Sequence, residues 1–212
     1  MSIRRSQETI SGPAGPLEAL LEVPANDTGR AFAVVCHPHP LYGGTLNNKV
    51  VYTVARAFLD VGLPVLRFNF RGVEGSAGQF ADGLGETQDA IAAVHWMRAR
   101  FPQRALWLGG FSFGGAVAIR AAVQEQAAVL VTVAPAVDRI AGTEVLLPSC
   151  PWLILQGDED DLVPVDATRA WVQTLSPAPR LIVLPGGEHF FHARLTELRQ
   201  HLLNWIAESK LA

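Results

Sequence analysis

Short apolar runs alternate with longer mixed stretches along the chain, and that alternation predicts most of its elements. Runs rich in Val, Leu, Ile and aromatic residues fall at 31–36, 64–70, 105–108, 128–134, 152–156 and 181–184. Helices are expected between and after them, over 48–61, 86–100, 113–124, 166–174 and 191–209. The apolar runs are nearly continuous instead of alternating with polar residues, which marks strands covered on both faces. Ahead of them, Glu8-Thr9-Ile10, the turn residues Gly12-Pro13-Ala14-Gly15 and the segment 17–23 read as a hairpin at a sheet edge. The pattern predicts an α/β architecture: a mostly parallel sheet with an N-terminal antiparallel hairpin and helices on both faces.

In such sheets reactive residues gather beyond the carboxyl ends of the strands. His37 and His39 follow the run 31–36, Arg71 follows 64–70, and Ser112 follows 105–108. The acidic cluster Asp158-Glu159-Asp160-Asp161 follows 152–156, and His189, in the glycine loop Gly186-Gly187-Glu188-His189, follows 181–184. A serine, an acid and a histidine therefore meet at one sheet edge. Arg71 is more simply a structural ion-pair partner than a clamp for an acidic substrate.

Ser112 lies in Gly110-Phe111-Ser112-Phe113-Gly114, a G-x-S-x-G pattern between an apolar strand and an alanine-rich helix. A serine hydroxyl is a poor nucleophile, so it must stand on a tight turn beside a base and backbone N–H donors. Glycines two residues either side remove Cβ atoms that such a turn would drive into neighbouring backbone. Ser76, in Gly75-Ser76-Ala77-Gly78, has neither that spacing nor a following helix, and is a loop serine.

Strand, serine turn and helix, with the order Ser, Asp, His, resemble the α/β-hydrolase superfamily over essentially the whole chain. The stretch from Cys36 to Gly44, Cys-His-Pro-His-Pro-Leu-Tyr-Gly-Gly, with Phe68-Asn69-Phe70-Arg71-Gly72, is similar to compact bacterial hydrolases related to the dienelactone-hydrolase branch. The resemblance implies an α/β-hydrolase fold without a cap domain and an esterase-like activity with a Ser-His-Asp triad. One departure matters: dienelactone hydrolases use a cysteine nucleophile where Ser112 stands, which argues against that reaction. Gly157-Asp158-Glu159-Asp160-Asp161-Leu162-Val163-Pro164 resembles the superfamily's G-x-x-D-x-x-V-P turn and selects Asp160 as the acid, with Asp158 as the alternative. Asp166 reads as a helix N-cap. His189 matches the superfamily's late histidine, His192 is expected to be helical already, and His95 and His201 lie within helices. The oxyanion donors implied are the N–H of Phe113 and that of His39, which sits between two prolines lacking N–H, with Leu41 or Tyr42 behind it. Leu41 and Tyr42 are also the candidate substrate contacts.

Length and charge change this picture little. At 212 residues the chain is expected to be one domain, 1–212. Net charge is −3, so nothing favours nucleic acid or an anionic membrane as a partner. The longest apolar run, 127–137, falls short of the roughly 20 residues a membrane span needs. Residues 1–12 are polar and read as no secretory signal, and Cys36 and Cys150 read as small buried hydrophobes; a cytoplasmic location is the expectation. His37-x-His39 supplies only two metal ligands, so neither metal nor cofactor is expected. The segment 135–151 is too short for a helical lid, which implies an open cleft. Carboxylic-ester hydrolysis is the leading activity and thioester or other acyl hydrolysis the second. A non-catalytic binding module on the same fold is the rival from another class. The partner expected is a small-molecule ester; the oligomeric state is not readable.

Overall fold

A computed structural model of the protein describes residues 2–140 and 146–211. The strands are β1 (Ile3–Gly12), β2 (Gly15–Pro24), β3 (Ala31–Cys36), β4 (Val65–Phe68), β5 (Ala105–Phe111), β6 (Val129–Val133), β7 (Trp152–Gly157) and β8 (Arg180–Leu184). The helices are α1 (Lys49–Asp60), α2 (Leu84–Arg100), α3 (Phe113–Gln124), α4 (Val165–Gln173) and α5 (Leu195–Glu208). The strands form one sheet in the order β1-β2-β4-β3-β5-β6-β7-β8. The hairpin β1–β2 is antiparallel and β2 joins β4 antiparallel, while β4 through β8 run parallel. This is the mostly parallel sheet with an N-terminal antiparallel hairpin that the apolar pattern predicts.

Strand β3 shows why its sequence is apolar throughout. Phe32, Val34 and Cys36 pack into the layer made with α2, α3 and Trp171 of α4, whereas Ala31, Ala33 and Val35 pack into the layer made with α1 and α5. Successive side chains point to opposite faces, so a strand between two helical layers needs an apolar residue at every position. The chain leaves β3 for β4 on one side and returns to β5 on the other. The crevice between the carboxyl ends of β3 and β5 is therefore the point where ligands collect in open α/β sheets.

Three local expectations need correction. β5 does not stop at Leu108 but continues through Gly109 and Gly110 to Phe111, because both neighbours pair there: Val35 with Gly109, Cys36 with Gly110, and Phe111 with Val133. Helix α5 starts at Leu195, because Phe191 and Ala193 hold φ of 52° and 60° and interrupt any helix; His192 thus lies in the turn ahead of it. Asp166 is not an N-cap: α4 starts at Val165 after Pro164, and Asp166 pairs with Arg169 at 3.1 Å inside the first turn.

Between β6 and β7 the described residues carry only a short 3₁₀ turn, Val137–Arg139. The expectation that this span holds no lid falls partly on residues 141–145, which lie outside the described residues. Among the described residues no helix is long and apolar enough to cross a membrane.

Candidate active site

Ser112 forms the sharp corner between β5 and α3, with φ 54° and ψ −119°, a conformation that side chains other than glycine rarely adopt. The turn is held from below: Ser112 N–H donates to Val133 O at 2.9 Å, and Ser112 O accepts from Gly115 and Ala136 N–H. Two glycines make the close approach possible. A Cβ on Gly110 would sit 2.2 Å from Gly114 O, and one on Gly114 would sit 2.3 Å from His37 O. The motif's glycines are thus demanded by backbone packing of β3, β5 and α3.

His189 comes from the loop after β8. Its Nε2 lies 3.0 Å from Ser112 Oγ, and its Nδ1 lies 2.8 Å from Asp160 Oδ2. An ionised carboxylate only accepts, so Nδ1 carries the proton and donates to Asp160, leaving Nε2 to accept from the serine hydroxyl. The imidazole packs on Phe111 of β5 at 4.9 Å between ring centroids and meets Phe190 edge-on at 5.1 Å.

Asp160 is buried with every lone-pair direction used. Oδ1 accepts from Leu162 and Val163 N–H at 2.9 and 2.7 Å, and Oδ2 accepts from Gln156 Nε2 at 3.0 Å as well as from His189. Gln156, the buried penultimate residue of β7, also donates to Val163 O and accepts from Thr168. Nothing in the sequence pattern singled it out. Of the competing acids, Asp158 accepts from Gly186 N–H at 2.6 Å and so steadies the loop that carries His189, instead of meeting the ring itself. Asp161 is exposed.

On the other side of Ser112 runs the loop after β3. His37 is fully buried there. Its Nε2 accepts from Phe70 N–H at 3.0 Å, so its Nδ1 donates to Pro38 O at 2.6 Å. Both ring nitrogens are therefore committed to backbone, leaving no lone pair for a metal. Burial lowers the His37 pKa to about 4, against a smaller opposing effect of the Pro38 carbonyl. His39 packs on Tyr42, Phe80 and Phe113, with centroids 4.6 to 4.9 Å apart. Its pKa is lowered by burial and then by the nearby Arg139 charge.

The N–H groups of this loop divide clearly. Leu41 N–H donates to His39 Nδ1 at 3.3 Å, and Tyr42 and Gly44 N–H both donate to His39 O at 3.1 Å. The N–H groups of His39 and Phe113 make no such bond among the described residues. Leu41 and Tyr42 have already spent the donors that made them alternatives to His39.

Ser112 and His189 open into a cavity of about 380 Å³, near the lower end of the roughly 300–1,000 Å³ usual for small-molecule sites. Pro38, Tyr42, Leu162 and Phe190 make it apolar, and Asn48 adds a polar group. Leu41 is not part of this wall, and its side chain stands exposed beside Tyr42. Leu162 and Phe190 escaped notice in the sequence; their signal is exposure, since large apolar side chains left in solvent around one opening mark a binding surface. Arg71 lies elsewhere, forked onto the buried carboxylate of Asp89 at 2.7 and 2.9 Å.

The architecture has close counterparts. Residues 16–146 match the model of the X-Pro dipeptidyl-peptidase (S15) family. An uncharacterised protein of Rickettsia prowazekii is 35% identical over 207 residues, which cover 93% of this chain and 87% of that protein. A Xanthomonas campestris protein described as an α/β serine hydrolase without a lid superposes with a TM-score of 0.91 at 40% identity, covering 97% of this chain and 94% of the other. An α/β serine hydrolase homologue from Coxiella burnetii gives 0.90 at 40% identity, over 94% and 96%. The chain belongs to the S15 peptidase family within the α/β-hydrolase superfamily, and it is a hydrolase whose described residues carry no cap domain.

Proposed function

We propose that the protein is a serine hydrolase of carboxylic esters that works through an acyl-enzyme. The observation carrying this reading is the unbroken hydrogen-bonded chain Ser112–His189–Asp160 at the floor of an apolar cavity. Ser112 Oγ attacks the ester carbon while its proton passes to His189 Nε2. Asp160 holds the ring in the required tautomer and stabilises the imidazolium. The carbonyl oxygen, now anionic, accepts from the N–H groups of Phe113 and His39, which have no partner among the described residues. Collapse expels the alcohol, protonated by His189. Water then repeats the sequence on the acyl-enzyme, giving the acid and restoring the Ser112 hydroxyl.

The family match raises a second reading, removal of X-Pro dipeptides from peptide N-termini. That activity needs a counter-charge for the free α-amino group of its substrate. Among the described residues lining the cavity none is a carboxylate, which favours the uncharged ester. The purified protein should hydrolyse p-nitrophenyl acetate and take a fluorophosphonate label on Ser112, with Ser112→Ala losing both. An X-Pro p-nitroanilide should be cleaved far more slowly, if at all. Absence of both label and ester turnover in folded protein would overturn the ester reading.

A further inference from the structure

Beside the cavity holding Ser112 lies a second one of about 200 Å³, and among the described residues Asn48 and Phe190 line both. The far side of the second cavity is largely aliphatic, formed by Val50, Ala193 and Leu195. Lys49 and His192 also reach its wall, and His192 is already paired with Glu188 at 2.6 Å.

The two shared residues differ in freedom. Asn48 is fixed as the N-cap of α1, its Oδ1 accepting from Val50 and Val51 N–H at 2.9 and 3.3 Å. Phe190 has no polar anchor and is 42% exposed. Its ring meets Phe111 and His189 edge-on, with centroids 5.9 and 5.1 Å apart, and lies tilted against His192 at 6.0 Å. The half-exposed ring of Phe190 is thus a wall common to the apolar reaction cavity and to the neighbouring pocket.

We infer that Phe190 is a specificity-determining partition, and that the second cavity is a subsite for the distal end of a linear aliphatic arm of the ester. This rests on the ester-hydrolase reading above and deepens it. With the ring in place, an arm is accommodated up to the wall formed by Phe190 and Asn48. With the ring removed, a longer arm reaches Val50 and Leu195 and gains burial.

The test compares kcat/KM for two ester series: p-nitrophenyl esters of rising acyl length, and acetates of rising alcohol length. Each is run on the wild type, Phe190→Ala, and Phe190→Ala combined with Ala193→Trp. The readout is the ratio of long to short ester within each protein, so a general loss from disturbing the neighbouring His189 cancels. In one of the two series Phe190→Ala should raise that ratio by about fourfold for each methylene newly buried. The added indole should fill the pocket and abolish the gain. A ratio unchanged in both series, or a gain that survives Ala193→Trp, overturns the inference. Fluorophosphonate labelling of wild-type Ser112 separates the two levels. With Ser112 labelled and the ratio unmoved, only the partition falls; with neither label nor ester turnover, the hydrolase reading falls with it.

Discussion

Two loops reach Ser112 from opposite sides, and they are held in different ways. The one after β3 is fastened from within. His37 ties Pro38 to Phe70, Asn69 Oδ1 accepts from Leu46 N–H at 2.8 Å, and Arg67 donates to Leu46 O at 2.6 Å while paired with the buried Glu22 at 3.0 Å. The one after β8 is fastened mostly from outside, by Asp158 to Gly186, Arg194 to Gly186 and Glu197, and the exposed pair Glu188–His192. Among the described residues its buried side-chain tie is His189 to Asp160, and Gly187 is held through backbone alone, its N–H donating to Leu184 O at 3.2 Å and its O accepting from Glu159 N–H at 3.0 Å. The difference matches what each loop must deliver. Backbone donors stabilise a developing charge only if they are already in place, so their loop has to be rigid. A base needs only its ring fixed, and a single buried carboxylate does that.

The comparison breaks outright if the base side does not carry the chemistry. Ser112→Ala and His189→Ala should each lower kcat by several orders of magnitude, about as much as the double variant, since residues acting as one unit are not additive. Asp160→Asn should be severe but milder, on the order of 10⁴-fold, as in the handicapped-tautomer effect seen in other serine hydrolases. Steady-state ester kinetics on folded variants decide it, and a loss below tenfold for Ser112 or His189 removes the proposed mechanism.

On the β3 side the decisive contrast is between two changes at one residue. His39→Ala keeps the backbone N–H and should alter kcat modestly. His39→Pro deletes it, and loss of one oxyanion donor lowers kcat by about 10²–10³. Thermal unfolding measured alongside separates that loss from distortion of the loop. Full activity in a folded His39→Pro protein would place the donor elsewhere, and a His39→Ala protein as inactive as His189→Ala would make the ring the working part.

These sites were not equally legible in the sequence. The serine turn was, because its glycines answer a local demand: Gly110 and Gly114 leave room for Gly114 O and His37 O. β3 was legible to the residue, because a strand buried on both faces has no polar position to blur its ends. The end of β5 was not. Two glycines look like a loop until the neighbouring strands pair with them, and pairing is a tertiary fact. Choosing between Asp158 and Asp160 rested on family resemblance, since a run of acids has no internal register. Phe190, Leu162 and Gln156 were invisible for a related reason: cavity walls are assembled from separate loops, and no periodicity connects them.

Rigidity on the β3 side also has a pH signature. An unfolded histidine titrates near 6.5, whereas burial lowers His37 to about 4. The fold therefore favours the neutral ring, whose Nε2 lone pair holds Phe70 N–H. Its stabilising contribution is complete above pH 6.5 and is lost as pH falls through about 4, amounting to ~3 kcal/mol in all. His37→Gln retains a donor and an acceptor but does not titrate. Urea unfolding at pH 7 and pH 4 should show a fall in stability larger in the wild type than in this variant by about that amount. Parallel pH curves would mean that His37 does not govern the loop.

The smallest expected effect tests the outer ties. Asp158 is exposed, and its bond to Gly186 N–H competes with water, so removing its charge should matter little. Surface polar contacts of this kind contribute about 0–1 kcal/mol. Asp158→Asn preserves an acceptor oxygen for Gly186, and should change kcat by less than about threefold, with stability lowered by at most ~1 kcal/mol. Asp160→Asn, two residues away in the same acidic run, acts on a buried carboxylate with four donors and belongs at the other end of the scale. The ratio of the two losses is the sharp quantity, because both substitutions remove one negative charge from one loop. If long-range charge governed His189, the two variants would be similar. A loss at Asp158 equal to that at Asp160 would show that the loop after β8 depends on its surface ties, and the contrast between the two sides of the site would disappear.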